Sequence, residues 1–220
     1  MYIVIVGAGR IGQRLTELAL KDNKEKNDVI VIDKNQERCE EIARKYDVIA
    51  INADATQEET LEESEVKKAN VLVATTRDDA VNLMVVSLAR NKGVKHLVSL
   101  VNQEESIPMF MEKGVKIVKN PALLIAEHLY RSIKYPDIVD YMNVGESVTI
   151  FRMPLPEDSY LAGRTIKEIG LPKKSLIIAV ERGNRFIIPT EEVQLEPNDK
   201  ITVLAHKDEV EKITHILSGK

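Results

Sequence analysis

Six short apolar runs, each separated from the next by an amphipathic stretch, restrict the possible folds of this 220-residue chain more than any other feature. The runs are Tyr2–Val6, Val29–Ile32, Val48–Ile51, Val71–Ala74, Leu97–Val101 and Lys116–Val118. They are rich in Val and Ile and show little polar alternation, the pattern of strands covered on both faces in a parallel sheet. The stretches between them carry apolar residues at helical spacing. Ile11, Leu15, Leu18 and Ala19 form the first stripe, and Cys39, Ile42, Ala43 and Tyr46 the second. Val81, Met84, Val85, Leu88 and Ala89 follow the fourth run, with Gly93 as a stop; Ala122, Ile125, Ala126, Leu129, Tyr130 and Ile133 follow the sixth. Strand then helix, repeated to about residue 133, predicts an α/β fold with a Rossmann-like, doubly wound parallel sheet.

The pattern changes at Tyr135-Pro136. From Ser147 onward strand-like runs alternate with turns: Val148–Met153, Leu176–Glu181, Arg185–Ile188 and Ile201–Ala205. Gly183-Asn184 reads as a hairpin turn, Glu196-Pro197-Asn198-Asp199 as a second turn, and Val210, Ile213 and Leu217 as a closing helix. The expected organisation is a first domain over 1–134, a linker over 135–146 and a smaller α+β domain over 147–220.

The first run ends on Gly7-Ala8-Gly9-Arg10-Ile11-Gly12, a GxGxxG turn between a strand and a helix. Gly7 suits the tight turn, Gly9 lets a pyrophosphate approach the backbone, and Gly12 lets helix and strand pack closely. The free N–H groups of the helix start, Ile11 among them, then face an anion, and Arg10 adds a cation that suits phosphate. Asp33, at the end of the second strand, is placed to accept hydrogen bonds from ribose hydroxyls, and its charge opposes a 2′-phosphate, although Lys34 beside it softens that bias. Capping of the segment beginning at Asn35 is a lesser role for Asp33, compatible with the first. Asp54-Ala55-Thr56 ends the third strand and Thr75-Thr76 the fourth; Asp54 suits an adenine amino group, and the threonines suit the opposite wall of the crevice. Helix capping is the competing role for Asp54 and Asp79.

Other chemistry is not visible. The formal charge is −4 with a pI of about 5.7, which offers no electrostatic footprint for nucleic acid. The single cysteine, Cys39, excludes an internal disulfide and fits a reducing compartment. No apolar run approaches the ~20 residues of a membrane span, and no secretory leader pattern opens the chain, so a cytoplasmic protein is expected. His96, His128, His206 and His215 are dispersed, without metal-ligand spacing or a nucleophile elbow nearby. A nucleotide sensor rather than an enzyme is the reading these residues favour, with a small NAD-dependent oxidoreductase as the alternative.

The stretches IVGAGRIGQRL, VIVIDKNQERCEEIA and INADATQEETLEESEVKKANVLVATTRDDAVNLMVVSLA resemble the N-terminal domain that regulates K⁺ conductance, known as RCK or KTN. LAGRTIKEIGLP, LIIAVERGNRFIIP and LEPNDKITVLAHKDEVEKI resemble the family's C-terminal domain, in the order found in TrkA- and KtrA-type proteins. The resemblance implies a cytosolic regulatory subunit of a K⁺ uptake system, lying at the inner face of the membrane through an integral-membrane transporter or channel partner. It implies a nucleotide held at the positions of Gly7, Gly9, Arg10, Asp33, Asp54 and Thr75. It further implies homodimers assembled into rings, typically octameric, and, in some relatives, cyclic di-AMP in the small domain. Two positions depart from the family pattern. Ser99-Leu100-Val101-Asn102 lacks the basic residue many relatives carry at the end of the fifth strand. Pro121-Ala122-Leu123 lacks the acidic residue of relatives that bind a cation with ATP. These departures favour NAD(H), or a mono- or diphosphate such as AMP or ADP, while Arg10 leaves ATP as a further alternative. The stripe from Ala122 to Ile133 is a candidate dimer face, or else simply a cover for the sheet.

Overall fold

The computed structural model describes residues 1–22 and 26–219, with Lys119 by its backbone alone. The chain divides into two compact units, Met1–Leu124 and Ile125–Lys220.

In the first unit, β1 (Tyr2–Val6), β2 (Asp28–Asp33), β3 (Ile49–Asn52), β4 (Val71–Ala74), β5 (His96–Val101) and β6 (Lys116–Lys119) form one sheet. Its order is β3-β2-β1-β4-β5-β6, and every pairing is parallel. The helices between them are α1 (Arg10–Leu20), α2 (Gln36–Lys45), α3 (Glu58–Glu63), α4 (Asp79–Asn91) and α5 (Ile107–Glu112). β1 shows why its run has no polar alternation. Ile3 and Ile5 pack with Val29, Val31 and Ile42 on one face, while Val4 and Val6 pack with Ile30, Ile32, Leu72 and Val85 on the other. Each such side chain contributes about 1.5–3 kcal/mol by leaving water, so a polar residue on either face would be costly. Sequence order runs outward from β1 in both directions, so the chain reverses its winding between β1 and β4, the switch point beside which such sheets bind their ligands.

α6 (Pro121–Lys134) crosses the division between the units. None of its described residues is buried, so its apolar stripe does not serve as a sheet cover. Leu124, Ile125, Leu129, Tyr130 and Ile133 are all exposed.

The second unit contains β7 (Asp140–Val144), β8 (Val148–Pro154), β9 (Ser175–Arg182), β10 (Arg185–Ile187) and β11 (Lys200–His206), in the antiparallel order β10-β9-β11-β8-β7. With α7 (Ile166–Ile169) and α8 (Val210–Ser218) they enclose a core of Phe151, Met153, Val203, Ile213 and Leu217. Arg182 and Arg185 face each other across the Gly183-Asn184 hairpin, as read from the sequence, and Asn198 adopts the left-handed conformation in its turn. The stretch 140–144, read as connecting chain, is instead a strand. Only Tyr141 of its five residues is even partly buried, so this edge strand carries no apolar signature.

Candidate functional site

The GxGxxG segment forms a turn that leads directly into α1, and its three glycines have different reasons to be glycine. Gly7 has φ +105°, and a Cβ there would lie 2.8 Å from Thr75 Oγ1. A Cβ on Gly12 would lie 1.8 Å from the Gly7 carbonyl oxygen, so α1 and the turn meet with no room for a methyl group. A Cβ on Gly9 would meet nothing within 4 Å. Within the protein, Gly9 is therefore not required by packing, and the space over it is open.

Two side chains hold this turn from either flank. From the end of β2, Asp33 Oδ2 accepts the Ala8 amide at 2.6 Å and Oδ1 accepts the Asn35 amide at 2.8 Å. From the end of β4, the Thr75 hydroxyl lies 3.0 Å from the carbonyl oxygens of both Val6 and Gly7. Backbone bonds complete the frame, from Gly7 N to Ile32 O and from Thr75 N to Val6 O, each 2.8 Å. Together these bonds fix the turn from within the protein.

α1 begins at this turn with the amides of its first turn unanswered. Gly9 at the N-cap has no side chain to accept them, and no acidic residue stands in the first turn. The other described helices of ten residues or more are capped: α2 by Asn35, α4 by Asp78 and α6 by Asn120. An uncapped start carrying the positive end of the helix dipole, beside an exposed Arg10, is chemically suited to a phosphate group. Ile11, next in the first turn, is exposed.

The remaining residues singled out by sequence lie at the carboxyl ends of β2, β3 and β4, with altered roles for some. Asp33 is not the cap of α2; Asn35 is, accepting the Arg38 amide at 2.9 Å. Arg38 Nη1 stands 3.9 Å from Asp33 Oδ2. Asp54 Oδ1 accepts from the Thr56 hydroxyl at 2.7 Å and the Thr56 amide at 2.9 Å, and Oδ2 pairs with Lys34 Nζ at 3.0 Å. Those bonds, the Thr56 hydroxyl first, hold the Asp54 carboxyl at a pKa of about 2, so at neutral pH it is an anion linking the ends of β2 and β3. Ala55 is buried and offers a ligand only its backbone. Thr75 supports the turn, and Thr76 is drawn to Asn82, whose Oδ1 lies 2.7 Å from its hydroxyl.

Sequence reading missed the asparagines. Asn82 is fully buried and bonds the Thr76 carbonyl at 3.0 Å and the Leu100 carbonyl at 3.2 Å, tying the ends of β4 and β5. The signal was an asparagine set inside the apolar stripe of α4. Asp79, weighed as a cap, instead accepts the Asn102 and Gln103 amides at 2.9 Å each, while Asp78 caps α4. Asn120 before Pro121 is a cap followed by proline at the first helical position, a pattern readable in advance. Among the described residues no group of three or more His, Cys, Asp or Glu could hold a metal ion, and no helix is long and apolar enough to cross a membrane.

Comparison with known proteins places the two units. A TrkA-N domain model matches residues 3–121 and a TrkA-C domain model residues 150–218. The Trk system potassium uptake protein TrkA homolog of Pyrococcus abyssi is 32% identical over 228 residues, covering 100% of this chain and 99% of its own. The homolog of Pyrococcus horikoshii is 31% identical, covering 100% and 98%. Among solved structures, the GsuK RCK domain superposes with a TM-score of 0.54 at 24% identity over 100% of this chain and 47% of its own. The GsuK channel bound to NAD gives 0.52 at 23%, over 100% and 39%. GsuK bound to ADP gives 0.52 at 26%, over 61% and 34%. The chain thus spans less than half the length of those solved proteins, but nearly all of the two Pyrococcus homologues. With a parallel-sheet unit and an antiparallel-sheet unit matched in order by the two domain models, and whole-length identity to TrkA homologues, the chain belongs to the TrkA family of potassium-uptake proteins.

Proposed function

We propose that this chain is the cytoplasmic, nucleotide-sensing regulatory subunit of a Trk/Ktr-type K⁺ uptake system, acting on a separate integral-membrane partner. The observation that carries the reading is the glycine turn: fixed by Asp33 and Thr75, open over Gly9, and leading into an uncapped helix. The phosphates of the ligand would meet the amides from Gly9 to Gly12 and the Arg10 guanidinium, and the adenosine ribose would meet the remaining lone pairs of Asp33. Asp54 and Lys34 would border the adenine, and Thr76 the far wall. NAD(H) is favoured over NADP(H) by the Asp33 charge. It is favoured over a metal–triphosphate by the lack of a basic residue in Ser99–Asn102 and by Ala122 where an acid would serve. ADP, ATP and AMP are the competing ligands, and GsuK has been solved with NAD and with ADP.

The ligand itself supplies no chemistry to be catalysed here; its role is to favour one arrangement of the protein. It can do so only by its difference in affinity between arrangements, and a 10-fold difference, about 1.4 kcal/mol, biases a balanced gate. The exposed stripe of α6 supports assembly into homodimers and rings beneath the membrane partner. Cyclic di-AMP at the second unit is an additional candidate ligand.

Mass spectrometry of the nucleotide that co-purifies, followed by calorimetric titration with NADH, NAD, ADP, ATP, AMP and cyclic di-AMP, tests the reading. Micromolar binding of an adenine nucleotide, with Asp33→Ala weakening it, is expected. Indifference to all of them at micromolar concentrations overturns it. Steady NADH consumption with a panel of carbonyl compounds would replace it with an oxidoreductase.

A further inference from the structure

A chain of side chains leads from the start of α4 to the start of α6. At the start of α4, the Asp79 carboxylate accepts the Asn102 amide at 2.9 Å, the Asn102 side-chain amide at 2.8 Å and the Gln103 amide at 2.9 Å. Burial pushes its carboxyl upward, but these bonds, with one from Ser106, outweigh burial and hold it below the ordinary carboxylate range. Asn102, just past β5, presents its carbonyl to Asn120 Nδ2 at 2.9 Å. Asn120, just past β6, turns its Oδ1 to the Ala122 amide at 2.9 Å and the Leu123 amide at 3.3 Å, which caps α6. Asn82 runs a second tie alongside, from Thr76 at the crevice wall to the Leu100 carbonyl of β5.

Two features make this chain more than ordinary packing. First, within the chain α6 buries none of its described residues, and the Asn120 side chain ties its first turn to the end of β5. Second, Asn120 uses both ends of one amide: the oxygen holds the helix and the nitrogen holds β5. We infer that Asn120 is a positioning residue that couples occupancy of the crevice to the state of α6, by way of Asp79 and Asn102. The inference rests on the nucleotide reading given above. A displacement of the β4–α4 junction by a bound ligand moves Asp79 and with it the end of β5. Asn120 passes that movement to the first turn of α6.

The chemistry of asparagine permits a clean separation. Asn120→Asp retains the oxygen that caps α6 and places a negative charge at the positive end of the helix, but loses the Nδ2 donor to Asn102. Asn120→Ser also retains a capping oxygen without the amide. The full chain is studied by amide hydrogen exchange over 122–134 with and without NADH, beside calorimetric titration of the same variants with NADH. In the natural sequence NADH should change exchange in α6 by several-fold. In Asn120→Asp and Asn120→Ser, NADH affinity should stay within about 2-fold, which corresponds to ~0.4 kcal/mol, while the exchange response of α6 falls to less than half. A full response in both variants overturns the coupling role, as does NADH binding that leaves α6 exchange unchanged in the natural sequence. Failure of NADH to bind the natural sequence at all strikes the nucleotide reading instead, so the two failures are distinct.

Discussion

Replacing Gly9 and Gly12 in turn by alanine separates the demands of packing from those of the ligand. A Cβ on Gly12 would sit 1.8 Å from the Gly7 carbonyl oxygen, more than an ångström inside the 3.0 Å that real Cβ contacts respect. The obstacle is backbone, and the turn is fixed by Asp33 and Thr75, so α1 must shift away from it as a body. Overpacking of this kind costs about 1–3 kcal/mol, and the fixed neighbour argues for the upper part of that range. For a unit of this size a loss of 2–3 kcal/mol lowers Tm by about 6–15 °C. A Cβ on Gly9 meets nothing, and the N-cap there is already extended (φ −72°, ψ −174°), so Gly9→Ala should cost less than about 0.5 kcal/mol. Its effect should fall on the ligand: a methyl group over the open amides should lower nucleotide affinity by at least ~10-fold, about 1.4 kcal/mol. Thermal melts and calorimetric titration of both variants read the two quantities. Wild-type nucleotide affinity in Gly9→Ala, or a wild-type Tm in Gly12→Ala, would refute the assignment of roles to the two glycines.

Three other outcomes are expected. Asp33→Ala should lose ribose hydrogen bonds and also leave the Ala8 amide without its 2.6 Å acceptor, so denaturant unfolding should report a loss of about 1–3 kcal/mol even without nucleotide. Asp54 carries a depressed pKa of about 2, so the stability it contributes is full above its unfolded value near 3.8 and disappears as pH falls from about 4 towards 2; Thr56→Val should move its titration, followed by carboxyl NMR, back towards the ordinary range. In the second unit Asp199 is fully buried and takes both Nε and Nη2 of Arg182 at 2.9 Å; Asp199→Ala should therefore cost about 3 kcal/mol in chemical denaturation, whereas Asp158→Ala, on an exposed turn, should cost little.

Much of the first unit could be read from sequence because its strands are buried on two faces, which leaves a signal in every residue of the run. Tyr2–Val6 and Val71–Ala74 matched their strands to the residue, and the others differ by a residue or two at their ends. β7 escaped because an edge strand with Met142 and Val144 in water has no such signal. α3 and α5, of six residues each, escaped because they are too short for a periodic stripe. In the candidate site, the glycine turn and the place of Asp33 at the end of β2 were legible, since both follow from the strand–turn–helix pattern, but the grip of Asp33 on the Ala8 amide was not. The inward turn of Thr75 was not, because a threonine at a strand end looks the same whether it faces a ligand or a carbonyl of β1. Asn82 and Asn102 were missed because their partners are carbonyls and amides of remote segments, which sequence does not display.

The turn held at both flanks by Asp33 and Thr75 also bears on speed. A loop that had to order itself around each incoming molecule would add its own folding time to every encounter, and some of the attraction would be used up in that ordering. With the turn already held, the proposed nucleotide would need little ordering of the protein on capture. On that reading, exchange of one nucleotide for another would be quick beside any slower rearrangement of the protein that follows it.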